Sequence, residues 1–124
     1  MNNKEFARKL IKRCYNFSLE VIKLVDNFPN RRVFWTLGDQ LLRCACSVGA
    51  NIVEAQAACS TKDFINFLLY ALKSANETRF WLGLLRDSNK VPAEVINPLL
   101  NEVTEISKIL GSSTASLRGK KKPE

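Results

Sequence analysis

The sequence predicts an all-α protein folded as an antiparallel four-helix bundle. Apolar residues recur at spacings of three and four over most of the 124 residues, which is the pattern of amphipathic helices. Only four prolines and five glycines interrupt the chain, so the helices are expected to be long. Short polar connections separate four such segments, and short connections between long helices favour an up-down-up-down order.

The first helix is predicted over residues 4–27, and it ends before Pro29 because the residue preceding a proline avoids helical dihedral angles. The second helix is predicted over residues 33–58. It contains a run of small side chains at residues 44–50, which would allow a neighbouring helix to approach closely.

The third helix is predicted to begin after Ser60, because the serine hydroxyl can cap the helix while the carboxylate of Asp63 bonds back. It continues to about Asp87 and is apolar on more than one side, which indicates two surfaces to bury. The fourth helix is predicted over residues 98–117, since Pro98 suits a first helical turn.

The prediction is therefore one domain, residues 1–117, followed by a disordered basic tail at residues 118–124.

Charge is concentrated at the two ends of the sequence. With 19 Lys and Arg against 12 Asp and Glu, the formal net charge is +7. Residues 1–13 carry a net +4 and residues 118–124 a net +3, so the segment between them is neutral. In an up-down-up-down bundle the first helix starts where the fourth ends, and the two basic segments would form one patch.

This patch is the predicted nucleic-acid-binding site, because Lys and Arg gain affinity by displacing counterions from phosphates. The sequence lacks the signatures of modules that read RNA sequence, so binding to structured RNA or another polyanion with little sequence preference is expected. The candidate contact residues are Lys4, Arg8, Lys9, Lys12, Arg13, Arg118, Lys120, Lys121 and Lys122.

Catalysis is not expected. Histidine is absent, which excludes imidazole as a general base and the Glu-x-x-His pairs of di-iron bundles. The sequence contains no glycine-rich phosphate loop and no nucleophile motif, and its carboxylates are isolated. We therefore expect no catalytic residue, no cofactor and no metal site.

The cellular location is predicted from what the sequence lacks. It shows no apolar run of signal-peptide length and none long enough to cross a bilayer, so a cytoplasmic protein without membrane contact is expected. Its cysteines are then interpreted as reduced thiols that act as small buried apolar side chains. They are Cys14, Cys44, Cys46 and Cys59.

Several short motifs together resemble one bacterial family. They are Gln40-Leu41-Leu42-Arg43, Ser47-Val48-Gly49-Ala50-Asn51-Ile52, Glu54-Ala55, Lys62-Asp63-Phe64-Ile65, Ala71-Leu72-Lys73, Glu77-Thr78-Arg79-Phe80-Trp81-Leu82, Glu105-Ile106 and Lys108-Ile109-Leu110. The sequence resembles the four-helix-bundle family named after proteins encoded by intervening sequences of 23S ribosomal RNA genes. The resemblance implies small antiparallel bundles that assemble into ring-shaped homopentamers. It also implies a fold shared with the accessory variability determinant proteins of diversity-generating retroelements.

The resemblance implies polar contacts of Arg43 with Glu54 and Glu77, inside the bundle or between subunits, and it supplies no catalytic residue. Two functions are expected: an RNA-binding protein of this family or, alternatively, a pentameric accessory scaffold that binds a reverse transcriptase with its RNA or DNA. For the scaffold, aromatic residues are candidate anchors, although packing inside the bundle or between subunits also explains them, Trp81 especially. They are Phe34, Trp35, Phe80 and Trp81.

Overall fold

The computed structural model describes residues 3–121, with side chains for residues 4–119. The described residues form four helices and contain no strand. The helices are α1 (Asn3–Asp26), α2 (Arg32–Ala55), α3 (Thr61–Asp87) and α4 (Ala93–Lys121). Consecutive helices pack on each other, and α1 also packs on α4, whereas the backbones of the described parts of α1 and α3 do not come within 8 Å of each other, measured between Cα atoms. The predicted all-helical bundle of four helices is confirmed.

The first connection closely follows the prediction. Helix α1 ends at Asp26, and the side-chain amide of Asn27 donates a hydrogen bond to the Lys23 carbonyl at 2.8 Å. Helix α2 ends at Ala55, three residues before the predicted end. The next three backbone amides donate to carbonyls three positions back rather than four, so the chain tightens into a turn after Ala55.

Both ends of α3 are capped. The Ser60 hydroxyl accepts a hydrogen bond from the Asp63 amide at 3.0 Å, and the Asp63 carboxylate accepts one from the Cys59 amide at 3.3 Å. At the other end, Asn89 adopts a left-handed backbone conformation with φ of 60°. The amides of Asn89 and Lys90 donate to the carbonyls of Arg86 and Leu85, which is a Schellman motif.

Helix α4 is longer than predicted at both ends. It starts at Ala93, so Pro98 lies inside it rather than in its first turn. The buried side chain of Ile96 anchors this extra turn to the core, and the carbonyl that Pro98 leaves without a helical donor belongs to the exposed residue Glu94.

At its far end, α4 continues through Lys121, so the predicted disordered tail is wrong for residues 118–121. The last turns are held by Thr114, which is buried, and by Leu117, which packs against the core. Residues 122–124 of the predicted tail lie outside the described part of the chain.

The core is apolar and closely packed. A β-carbon placed on Gly49 would lie 3.1 Å from Cβ of Cys14, so the predicted close approach at the small-residue run of α2 is confirmed against α1. A β-carbon on Gly38 would similarly crowd Val25 and Phe28. The largest buried apolar side chains at the centre are Leu41, Ile52, Leu82, Leu85, Ile96, Ile106 and Leu110.

Buried polar groups of α3 and α4 have partners. The Thr78 hydroxyl donates to the Ser74 carbonyl at 2.7 Å, and the Ser107 hydroxyl donates to the Asn76 side-chain oxygen at 2.9 Å. No helix in the described part of the chain is long and apolar enough to cross a membrane.

Candidate nucleic-acid interface

Three cations lie on the outer face of the first half of α1. Lys4, Arg8 and Lys12 are four residues apart, so they form one ridge along the helix, and all three are exposed. None of them forms an ion pair with another described residue. The ridge therefore presents its charges to solvent.

The other two predicted cations of α1 are paired. Lys9 lies 3.6 Å from the Glu5 carboxylate. Arg13 donates two hydrogen bonds, of 2.6 and 2.9 Å, to the carboxylate of Glu102 on α4. These bonds raise the pKa of Arg13. Arg13 thus links α1 to α4, so of the predicted contact residues it is less free to bind a phosphate than the cations of the ridge.

Arg118 is the described cation at the end of α4, and its side chain is exposed. Lys120 and Lys121 belong to the same helix, but their side chains lie outside the described part of the structure. Lys122, the last predicted contact residue, lies outside the described residues altogether.

A cavity of about 520 Å³ joins the start of α1 to the end of α4. Lys4 and Phe6 line it from α1, and Ser116 and Leu117 from α4. The last turn of α2 and the first turns of α3 complete the wall through Gln56, Phe64 and Leu68. We call this part of the molecule the open end. Lys4, the first cation of the ridge, lines this cavity, and Arg118 directly follows the lining residue Leu117.

One residue of the cavity is not among the predicted site residues. Phe6 follows the apolar spacing of α1, yet 41% of its surface is exposed, at the cavity. Elsewhere, Arg31 and Arg32 form a second exposed basic pair, next to the predicted anchor Trp35. The Trp35 indole donates to Asn30 at 2.8 Å and stays 53% exposed. The local signal for this pair is the sequence Arg31-Arg32-x-x-Trp35, which the net charge of the middle segment does not reveal because that charge sums to zero.

The predicted polar contact between Arg43 and Glu77 is present and links α2 to α3. The Glu77 carboxylate also accepts a hydrogen bond from the Trp81 indole at 3.0 Å, which with Arg43 holds its pKa below the usual range. No contact between Arg43 and Glu54 occurs among the described residues. Trp81 is half-buried, as packing inside the protein would make it, and the ring of Phe80 beside it is 62% exposed.

The cysteines offer no reactive centre at the open end apart from Cys59, which is exposed in the turn before α3. Cys14 and Cys44 are buried as predicted, and burial raises the pKa of both thiols, that of Cys14 to about 12. Among the described residues, no group of His, Cys, Asp and Glu side chains could hold a metal ion.

These features define the class as a small basic four-helix protein with an exposed cationic ridge. The sequence matches the profile of the 23S rRNA-intervening sequence protein family over residues 7–112. The chain belongs to this family.

A solved relative has the same fold. It is a protein of unknown function from the S23 ribosomal protein family of Bacteroides thetaiotaomicron, with a crystal structure at 1.70 Å resolution. The two sequences are 37% identical over 85% of this chain and 97% of the relative, with a TM-score of 0.80. The comparison with curated proteins gave no match.

Proposed function

We propose that the chain is a non-enzymatic cytoplasmic protein that binds the phosphate backbone of structured RNA through the open end. The observation that carries the proposal is the exposed ridge of Lys4, Arg8 and Lys12, which begins at the cavity with Lys4, together with the exposed Arg118 that follows the lining residue Leu117. Lys120, Lys121 and Lys122 follow Arg118 in the sequence. The family to which the chain belongs is named for a ribosomal RNA insertion, which favours RNA over DNA.

Four unpaired cations predict a steep dependence on salt. Each phosphate contact releases condensed counterions, so the slope of log affinity against log salt is about −0.7 to −0.9 per contact. The ridge and Arg118 alone would give a slope near −3. Because such contacts carry no sequence information, we expect little preference among RNAs of equal shape.

The proposal includes an antiparallel up-down-up-down order. It is supported by pairs of contacts in which a later residue of one helix meets an earlier residue of the next helix. On α3 and α4, Asn76 bonds Ser107 whereas Arg86 bonds Asn97. The start of α1 and the end of α4 also line the same cavity.

The proposal also includes assembly into a ring of identical subunits, five in number as the family resemblance implies. Two helices whose backbones do not approach each other carry separate apolar outer faces. Tyr15, Leu19 and Ile22 are exposed on α1, and Phe80 and Leu84 on α3. Contact between two different faces of successive copies gives a ring when the rotation between copies closes, rather than a two-fold dimer. Five copies would carry five times the +7 of one chain.

The RNA proposal is tested by measuring affinity for a structured RNA over a salt series. A variant with Lys4, Arg8 and Lys12 changed to Ala is expected to lose at least tenfold in affinity and about two to three units of slope. The matched control changes Lys23, Lys90 and Lys108 to Ala, which removes the same charge elsewhere. Equal losses in both variants, or no binding by the wild type at low salt, would contradict the proposal.

The ring is tested by native mass spectrometry and light scattering. Leu19→Glu and Phe80→Glu place a charge on the two outer faces and are each expected to yield monomers. Val95→Glu changes a residue of α4 that is 44% exposed and lies on neither face, and it should leave the oligomer intact. A wild-type monomer at micromolar concentration would contradict the ring.

The alternative function is an accessory scaffold for a reverse transcriptase. The observation that favours it is the exposed Trp35 beside Arg31 and Arg32, an aromatic and cationic pair of the kind that anchors interfaces. Co-purification with a reverse transcriptase encoded next to this gene, lost in Trp35→Ala and kept in the ridge variant, would favour the scaffold.

A further inference from the structure

The open-end cavity has the dimensions of a ligand site. Its volume of about 520 Å³ falls within the roughly 300–1,000 Å³ typical of small-molecule pockets. Its floor is formed by Leu10, Ile52, Leu68 and Leu110, each at most 6% exposed. These side chains come from all four helices, so the floor is a rigid part of the core rather than a loop.

The wall combines aromatic rings with free hydrogen-bonding groups. Phe6 and Phe64 supply ring faces, and Phe6 stands partly exposed at the opening. The Gln56 side-chain nitrogen donates to the Ile52 carbonyl at 2.9 Å, which leaves its side-chain oxygen to accept from a ligand. Ser113 and Ser116 also line the cavity, and within the described residues their hydroxyls make no hydrogen bond.

The charge in the lining of the cavity is positive. Lys4 is the one charged residue among the described residues that line the cavity. Arg8 follows one helical turn later on α1, and Arg118 comes directly after the lining residue Leu117. A largely apolar cavity with Lys4 in its lining, and with Arg8 and Arg118 close to lining residues in the sequence, is complementary to a ligand with an aromatic body and anionic flanks. An unpaired nucleotide within an RNA chain has that chemistry.

We propose that the cavity receives one unstacked base of a bound RNA. The base stacks on Phe6, its edge bonds to Gln56 and the serine hydroxyls, and the flanking phosphates contact Lys4, Arg8 and Arg118. This inference rests on the proposed RNA binding and adds to it a preference for RNA with a bulge or loop. It also explains why an aromatic ring is exposed among cations at this end.

The test compares two RNA hairpins that differ only in one unpaired 2-aminopurine bulge. Wild type is expected to bind the bulged hairpin about tenfold more tightly, since stacking of a base on an aromatic side chain contributes at this scale. The bound 2-aminopurine is expected to be protected from quenching by acrylamide. Phe6→Ala should lose most of the preference, measured as the ratio of the affinities for the two hairpins.

Two tryptophan variants on α4 form a matched pair. Ser116→Trp fills the cavity from its rim, whereas Ala115→Trp adds the same side chain at a neighbouring exposed residue that does not line it. Both leave the net charge unchanged. Ser116→Trp is expected to abolish the preference for the bulge and the protection of the base, and Ala115→Trp to retain both.

The outcomes separate the two proposals. If wild type binds both hairpins equally, or if both Ser116→Trp and Phe6→Ala keep the preference, base insertion is wrong while phosphate binding stands. If neither hairpin binds at low salt, the RNA-binding function and base insertion both fail.

Discussion

The open end and the opposite helix termini are built differently. At the open end, the helices surround a cavity of about 520 Å³ with Phe6 exposed at its mouth. At the α3–α4 connection, Val91 and Ile96 are buried, and a Schellman motif closes α3. At the α1–α2 connection, the rings of Phe28 and Phe34 meet edge to face at 5.1 Å. These two connections we call the closed end. Apolar side chains thus close the closed end, whereas the open end keeps a cavity and a partly exposed aromatic ring.

The largest expected effect is a difference in stability between the two ends. Ile96→Ala at the closed end should lower the free energy of unfolding by about 3 kcal/mol, because it leaves a cavity in the core. Phe6→Ala at the open end should cost less than about 1 kcal/mol, since the ring is already partly in water. Urea unfolding at one fixed protein concentration measures both. Similar losses would mean that the open end is sealed in solution.

The second effect concerns alkaline pH. The Cys14 thiol, buried in the body of the protein, has a pKa raised by burial from an ordinary 9.0 to about 12. Its proton is held more tightly in the folded state, so its contribution to stability is complete below about pH 9 and is lost between about pH 9 and 12. At pH 10 the loss is about 1 kcal/mol relative to neutral pH.

The free energy of unfolding, measured at pH 7 and at pH 10, gives this loss. The reference is Cys14→Ala, in which the contribution of the Cys14 thiol to the loss is absent. An identical pH dependence in wild type and Cys14→Ala would show that the interior around α1 opens to water.

The third effect is the coupling between Arg13 and Glu102 across the α1–α4 contact. A double-mutant cycle with Arg13→Ala and Glu102→Ala should give a coupling energy of about 1 kcal/mol. This is less than a buried pair would give, because both side chains are about one-third exposed. The pair Lys9 and Glu5, exposed on α1 alone, should give less than about 0.5 kcal/mol. A coupling energy near zero between Arg13 and Glu102 would mean that Arg13 is as free to contact a ligand as the cations of the ridge.

The smallest effect distinguishes two glycines. Gly111, next to the cavity, has nothing within 4 Å of an added β-carbon, so Gly111→Ala should raise stability by about 0.5–1 kcal/mol through helix propensity. Gly49→Ala gains the same propensity but presses on Cys14 at 3.1 Å, and its net effect should be at least about 1 kcal/mol less favourable. Thermal unfolding of the two variants side by side measures the difference.

The parts of the fold that the sequence predicted are those with local signals. The capping pattern of Ser60 and Asp63 located the start of α3, and the small residues around Gly49 indicated the close approach to α1. The predicted start of α4 was wrong. Pro98 is a local signal for a first helical turn, but the helix starts earlier, at Ala93, where burial of Ile96 stabilises an additional turn. Burial depends on tertiary contacts that periodicity alone does not give.

The candidate site was predictable only in part. The four-residue spacing of Lys4, Arg8 and Lys12 predicted their shared exposed face. The pairing of Arg13 with Glu102 joins residues far apart in sequence, so no local pattern indicates it. The cavity and the exposure of Phe6 depend on how four helix ends meet, which the apolar spacing of α1 alone cannot report.

The Arg13–Glu102 contact also has a consequence for the order of folding. It spans 89 positions and belongs to the packing of α1 on α4, whereas the other three pairs of helices that pack on each other are consecutive in the sequence. Closing so long a loop carries the largest entropic cost, so we expect α1 to dock on α4 after the transition state. Glu102→Gln should then speed unfolding while leaving the folding rate nearly unchanged, as stopped-flow kinetics would measure. The last contact to form would be the one that brings the cationic ridge beside the end of α4.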